Sequence, residues 1–257
     1  EPDEMAPAAG NPSDRGFPRP TMTLLYDDFA AAHLQEAGRF LPSALAVTGS
    51  ARLDTLVHRA SLVTVDDMER TRRAVGASEG QSVVVVAAKY TQIAAVFPRL
   101  VRDAGELPGV RLVVKPHPAE TAAPYLAAAG GASHVAIAPS GVDLADLTRI
   151  ARLLVTVNST AAIEGMVLGV PSLVLAMPNN LTPFVEAGAM AGVRDGEAIG
   201  PALRALLADE QGRADLLRQS AAFMERYRVG SDGSAARRAA EEIVRLASGT
   251  SRQGGVS

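Results

Sequence analysis

The 257-residue chain contains no cysteine. That excludes a disulfide framework, cysteine-ligated zinc and thiol redox chemistry. Tryptophan is also absent, and aromatic residues make up only 4% of the chain. So few rings argue against sugar-stacking platforms and against base stacking as a recognition mode. No apolar run approaches the roughly 20 residues that cross a bilayer. The first twenty residues are polar and proline-rich, which does not read as a signal peptide. The formal net charge is −3, so no nucleic-acid partner is expected. There is no Gly-x-Gly-x-x-Gly and no Walker A sequence, which disfavours NAD-type and P-loop nucleotide binding. There is no Gly-x-Ser-x-Gly: Ser159 is followed by Thr160, Ala161 and Ala162, which is not a nucleophile elbow. His33, His58 and His134 lack ligand spacing, so neither a metal site nor a cofactor is expected. The chain shows no internal repeat.

What is present is a 47% hydrophobic composition, ample for a buried core. From Ser82 to Ala176 short apolar runs alternate with helical periods. Ser82 to Ala88, with Val83 to Val86 at its centre, reads as a central parallel strand. Thr91 to Ala104 reads as one amphipathic helix, with Ile93, Val96, Phe97, Leu100 and Val101 on one face. Val110 to Val114 is the next strand, Ala119 to Ala129 a helix, Val135 to Ala138 a weak strand and Leu144 to Ile150 a short helix. Leu153 to Val157 and Ser172 to Ala176 are further strands. Helices are expected at 182–189, 198–207, 213–227 and 234–247. The pattern predicts an α/β fold: a Rossmann-like doubly wound parallel sheet with helices on both faces and C-terminal helices after it. Ahead of it, Thr21 to Leu25 and Leu45 to Val47 read as strands, with helices at 28–37 and 66–75. The paired carboxylates Asp27-Asp28 and Glu241-Glu242 are expected to face solvent.

Two motifs carry candidate chemistry. In Arg152 to Pro171 a buried strand runs into Asn158-Ser159-Thr160, all good N-cap residues, and then into a helix closed by Gly169 and barred by Pro171. Free backbone N–H groups at such a terminus, with the hydroxyls of Ser159 and Thr160, suit a phosphate. Glu164 lies one turn in and could reach a ribose. Ser159 could equally cap a purely structural helix. In Lys115-Pro116-His117-Pro118, two prolines stiffen the backbone around a lysine and a histidine at a strand end. Both can hydrogen-bond a diphosphate, and His117 can donate a proton to a leaving phosphate. The bland alternative is a rigid turn with a surface lysine. Lys89, Lys115, His117, Asn158, Ser159 and Thr160 all fall just past strand ends, where ligands of doubly wound sheets bind.

These residues resemble the C-terminal half of a GT-B glycosyltransferase. The pattern is similar to bacterial capsule and surface-polysaccharide enzymes, sialyltransferase-like and CDP-glycerol glycerophosphotransferase-like proteins among them. Their HP motif and later Ser/Thr motif correspond to His117-Pro118 and Ser159-Thr160. Glu164-x4-Gly169-x-Pro171 resembles the segment whose glutamate holds the donor ribose. Thr48-Gly49-Ser50-x-x-x-Asp54 resembles the stretch where the N-terminal domain hands over to the C-terminal one. The resemblance implies a cytoplasmic glycosyltransferase-like enzyme with His117 as its catalytic residue. Its substrate-binding set would be Lys89, Lys115, His117, Asn158, Ser159, Thr160, Glu164 and Gly49. The implied partners are a nucleotide-sugar or CDP-activated donor and a polysaccharide or lipid-linked acceptor, with room for peripheral membrane contact. The domains implied are a disordered arm (1–20), a hinge or N-terminal-domain remnant (21–80), a nucleotide-sugar-binding Rossmann-like domain (81–248) and a disordered tail (249–257). Only 47 residues precede Thr48, fewer than a complete first domain needs, so an N-terminal half domain is a further expected partner. UDP-N-acetylglucosamine 2-epimerases share this architecture, but Met177-Pro178-Asn179-Asn180 lacks the Arg and Glu pattern expected of them. A sugar-nucleotide epimerase or hydrolase, and a non-catalytic nucleotide-binding module, are the alternative readings.

Overall fold

The computed structural model describes residues 19–249, so the expected arm and tail fall almost wholly outside the described residues. The first elements in chain order are β1 (Thr23–Leu25), α1 (Asp28–Glu36), β2 (Leu45–Val47), α2 (Ala51–Leu62) and α3 (Val65–Ala74). Then come β3 (Ser82–Val86), α4 (Tyr90–Ile93), α5 (Phe97–Gly105), β4 (Val110–Val114), α6 (Ala123–Ala129), β5 (Val135–Ile137), α7 (Leu144–Ile150) and β6 (Ala151–Thr156). The last are α8 (Ala161–Val167), β7 (Ser172–Val174), α9 (Thr182–Glu186), β8 (Ala191–Gly192), α10 (Ile199–Leu207), α11 (Glu210–Tyr227) and α12 (Ala235–Ala247). The described residues form two compact units: 19–58 together with 224–249, and Arg59–Phe223. These cuts fall at different places from residues 80 and 248.

The Arg59–Phe223 unit is built on a six-stranded sheet in the order β5-β4-β3-β6-β7-β8, every pair parallel. Successive side chains of a strand point to opposite faces. In β3, Val84 and Val86 join one core cluster and Val83 and Val85 the other. A strand buried on both faces needs apolar residues at every position, which is why four valines run together. Val84 and Val86 pack with Phe97 and Leu100 of α5, Tyr125 of α6 and Leu203 of α10. Val83 and Val85 pack with Leu147 of α7 and Ala161 of α8. The chain winds outward from β3 through β4 to β5, then crosses to β6 and winds the other way. The doubly wound α/β expectation therefore holds, with α9 connecting β7 to β8 and α10 and α11 following β8.

Three details depart from expectation. The helix expected over 91–104 is two, α4 and α5, broken at residues 94–96. Pro98 in the first turn of α5 has no N–H for the carbonyl one turn earlier, so one continuous helix cannot pass through it. The two-residue strand β8 is too short to give a periodic signal. Asp27 does not face solvent: it is fully buried, and its Oδ1 accepts the N–H of Ala30 at 2.7 Å as N-cap of α1.

The other unit pairs β1 with β2 in parallel, and Leu25, Ala31 and Leu45 form its small core. Gly49 follows β2 with φ +83°, a left-handed conformation in which a side chain would be strained. A Cβ there would also meet the Arg238 guanidinium at 2.7 Å. Asp54 of α2 accepts from the Ser231 hydroxyl at 2.7 Å and from the N–H groups of Gly233 and Ala235 at 3.0 and 2.9 Å. Desolvation pushes its carboxyl up, but the hydrogen bonds from Ser231, Ala235 and Gly233 outweigh that and hold it below the ordinary carboxylate range.

Candidate functional site

The strand order reverses direction between β3 and β6, and ligands of such sheets bind beyond the carboxyl ends at that point. The two strand ends are pinned together there. The N–H of Ala87 donates to Val155 O at 2.9 Å, and the buried hydroxyl of Thr156 donates to Ala87 O at 2.6 Å. Val86 is level with Val155 on one side and Val114 on the other, so the loops after β3, β4 and β6 leave the sheet at one height. Those loops carry Lys89, His117 and Asn158 to Thr160.

Each residue arrives there differently. Lys89 is exposed and has no ion pair among the described residues. His117 is exposed, and its Nδ1 accepts the N–H of Ala119 at 3.2 Å. In the neutral ring that acceptor role leaves the proton on Nε2, as a donor turned away from the turn. Asn158 is exposed, and its Oδ1 accepts the N–H of Asn180, fastening the rim to the loop after β7. Ser159 is half-buried, and its Oγ accepts the N–H of Ala161 at 3.2 Å. The N-cap of α8 is Thr160, whose own hydroxyl makes no capping bond and is exposed. The first amide of α8 is thus already engaged by Ser159, while both hydroxyl hydrogens can still be donated.

Two expected site residues sit apart from this group. The Lys115 ammonium donates to Val142 O at 2.6 Å, towards the loop after the edge strand β5 and away from the β3–β6 crevice. Glu164 is buried, with 6% of its surface accessible. Any ribose that met it would have to enter the first turn of α8. Gly49 belongs to the unit that holds β1 and β2, and is described there.

A residue that sequence reasoning passed over is Glu120. Its carboxylate accepts the N–H of Tyr90 at 3.0 and 3.1 Å, at the start of α4. The Tyr125 hydroxyl shares its one hydrogen between Ala88 O at 2.6 Å and the Glu120 carboxylate at 3.0 Å. The Glu120 N–H in turn donates to His117 O at 2.8 Å. One carboxylate therefore ties the histidine turn to the end of β3 and fills the amide position at the start of α4 with an internal anion. Burial, then the Glu120 carboxylate, pushes the Tyr125 phenol far above its ordinary value, so it remains a hydrogen-bond donor. The signal available in the sequence was Glu120 three residues after His117, but nothing local showed that it would reach Tyr90, thirty residues upstream.

Among the described residues no group of His, Asp and Glu could hold a metal ion, and no helix is long and apolar enough to cross a membrane. Two cavities of about 420 and 500 Å³ lie elsewhere in this unit; the convergence of strand ends marks the site.

The strand order, the winding and the rim define a Rossmann-like domain of the GT-B type. No protein-family model and no curated protein matches the chain in sequence. Solved structures do match in fold. A UDP complex of S. aureus MnaA superposes with a TM-score of 0.68 at 16% identity, over 91% of this chain and 63% of that one. The UDP-GlcNAc 2-epimerase of Neisseria meningitidis bound to UDP-GlcNAc gives 0.62 at 15% identity, over 88% and 61%. The wall teichoic acid polymerase TagF with CDPG gives 0.60 at 15% identity, over 88% and 56%. The chain spans less than two-thirds of the length of each, and at these identities the likeness is one of fold.

Proposed function

We propose that this chain supplies the donor-binding part of a glycosyltransferase-like enzyme that uses a nucleotide-activated sugar or CDP-glycerol for surface polysaccharide synthesis. The observation that carries the reading is that β3, β4 and β6 end level with one another, with Lys89, His117 and Ser159-Thr160 in the loops that follow them. Lys89 and the Nε2–H of His117 would neutralise the donor diphosphate. The hydroxyls of Ser159 and Thr160 would donate to phosphate oxygens, and Asn158 would hold their loop in place. Glu164, an acceptor, would recognise ribose hydroxyls once the first turn of α8 admits them. Lys115 would reach the diphosphate only by leaving Val142 O. Transfer then rests on stabilising charge on the leaving nucleotide, with His117 as its proton donor. The acceptor would be a polysaccharide or a lipid-linked chain, bound with a further domain in the cytoplasm.

A sugar-nucleotide epimerase is the second reading, favoured by the epimerase folds among the structural neighbours. Calorimetry with CDP, UDP, ATP and NAD tests the shared core of both. Pyrimidine diphosphates should bind, and His117→Ala should weaken them by about 1–3 kcal/mol, the value of a hydrogen bond to a charged group. Ser159→Ala should weaken a nucleoside diphosphate but not the bare nucleoside. Absence of pyrimidine binding at millimolar concentration rejects the proposal, and C2 inversion of UDP-N-acetylglucosamine would select the epimerase.

A further inference from the structure

At the amino ends of β3 and β6, the edge of the sheet opposite His117 and Ser159, lies an open cavity of about 500 Å³. Its walls carry four guanidinium groups, Arg72, Arg149, Arg152 and Arg213, against one carboxylate, Glu79. Glu210 pairs with Arg152 beside it. Arg72 donates to Ser78 O and Gln81 O at 2.8 and 2.7 Å, bonds that fix the group and leave its charge in place. Arg149 and Arg213 have no ion pair among the described residues. The Arg213 Nε is buried and has no hydrogen-bond partner among them. Burial, then the positive charge of Arg152, pushes the Arg213 guanidinium below its ordinary value. The neighbouring cavity of about 420 Å³ is different. There Arg59 pairs with Asp143 and Arg70 with Asp67, and only Arg149, which lines both cavities, is left without an ion pair among the described residues.

We infer that this cavity is a second binding site, for a phosphate-bearing anion. Guanidinium groups gathered on one wall repel one another, and an anionic oxygen between them offsets that repulsion. Guanidinium forks match the tetrahedral oxygens of phosphate in pairs, and a doubly charged group would offset the surplus cations. The site is separate from the rim, so it stands or falls independently of the proposed donor binding.

The test uses the full chain carrying His117→Ala and Ser159→Ala, which takes the rim out of play, and inorganic pyrophosphate as probe. Pyrophosphate should bind, with affinity falling steeply as salt rises. Arg213→Gln or the exposed Arg149→Gln should each weaken it by about tenfold or more, as expected for a charge-assisted bond. Arg70→Gln, in the neighbouring cavity, should leave it unchanged. The melting temperature of each variant separates a lost contact from a lost fold. Flotation with phosphatidylcholine vesicles, with and without phosphatidic acid, distinguishes the source. Arg213-dependent flotation assigns a lipid headgroup, and pyrophosphate binding without flotation assigns a soluble phosphate. No pyrophosphate binding at millimolar concentration, or the same affinity in the Arg213→Gln and Arg149→Gln variants, overturns the inference.

Discussion

Single side chains decide how the rim is held and where the fold carries a cost. Glu120 is the clearest case. If it positions His117, Glu120→Ala should weaken nucleoside diphosphates several-fold beyond its stability loss of roughly 1–2 kcal/mol, the scale of a few lost hydrogen bonds. Glu120→Gln keeps an acceptor for the Tyr90 N–H and should restore most of the affinity. In a His117→Ala background the Glu120→Ala effect on affinity should shrink, whereas a purely structural role would leave it the same size. Asp27 is the opposite case, a residue that opposes the fold at neutral pH. Burial pushes its carboxyl above the ordinary carboxylate range; the Ala30 N–H pulls it down and the neighbouring Asp28 charge raises it further. Its Oδ2 is buried and has no hydrogen-bond partner among the described residues. The folded state then holds the proton more tightly than the unfolded chain, so this group's contribution falls as pH rises from the unfolded value through the folded one. Asparagine caps a helix as well as aspartate does. Asp27→Asn should therefore raise the melting temperature at pH 7 and lose that advantage below about pH 4. An equal gain at both pH values would reject the argument.

At the scale of elements, the helix α8 is set by what it lacks. A Cβ on Gly165 would stand 3.2 Å from Leu154 Cδ2, 3.2 Å from Ser172 Oγ and 3.4 Å from Val170 O. Glycine lets α8 lie close on β6 and β7. Alanine would gain roughly 1 kcal/mol of helix propensity. Overpacking a well-filled core costs about 1–3 kcal/mol, and here Leu154 is fully buried and Val170 O is backbone, so neither yields easily. Gly165→Ala should lower stability by up to about 2 kcal/mol in denaturant unfolding; a gain would mean that the interface is looser than it stands. This element was legible in the sequence: Gly169 has φ +72° and ends the helix before Pro171, as the motif predicted. The valine run of β3 was legible too, because burial on both faces leaves no other composition. The break between α4 and α5 was not, since the apolar stripe of 93–101 runs straight across it and only Pro98 contradicts it. Of the site, the strand-end positions could be read from local pattern. The directions taken by Lys115, towards Val142, and by Glu120, towards Tyr90, depend on contacts distant in sequence, and no local pattern encodes them.

At the scale of the molecule, β3 stands in the middle of its sheet although it is the first strand of its unit. Its partner β4 follows within thirty residues, but its other partner, β6, begins only at Ala151, and the Thr156 hydroxyl reaches back 69 residues to Ala87. A chain growing from its amino end therefore completes β3, β4 and β5 while one flank of four valines still has no neighbour. Open hydrophobic edges of this kind are templates for intermolecular pairing, and closing a long loop before any reward arrives makes folding slow. A chain ending at Ala138 should scatter light and precipitate on dilution from denaturant, while one that extends through Val174 should refold with far less loss. Equal recovery of the two would show that β6 is not what closes the sheet. The same crossover that creates the ligand crevice thus fixes the hour at which the chain becomes safe from its own copies: only when the second half of the winding has left the ribosome.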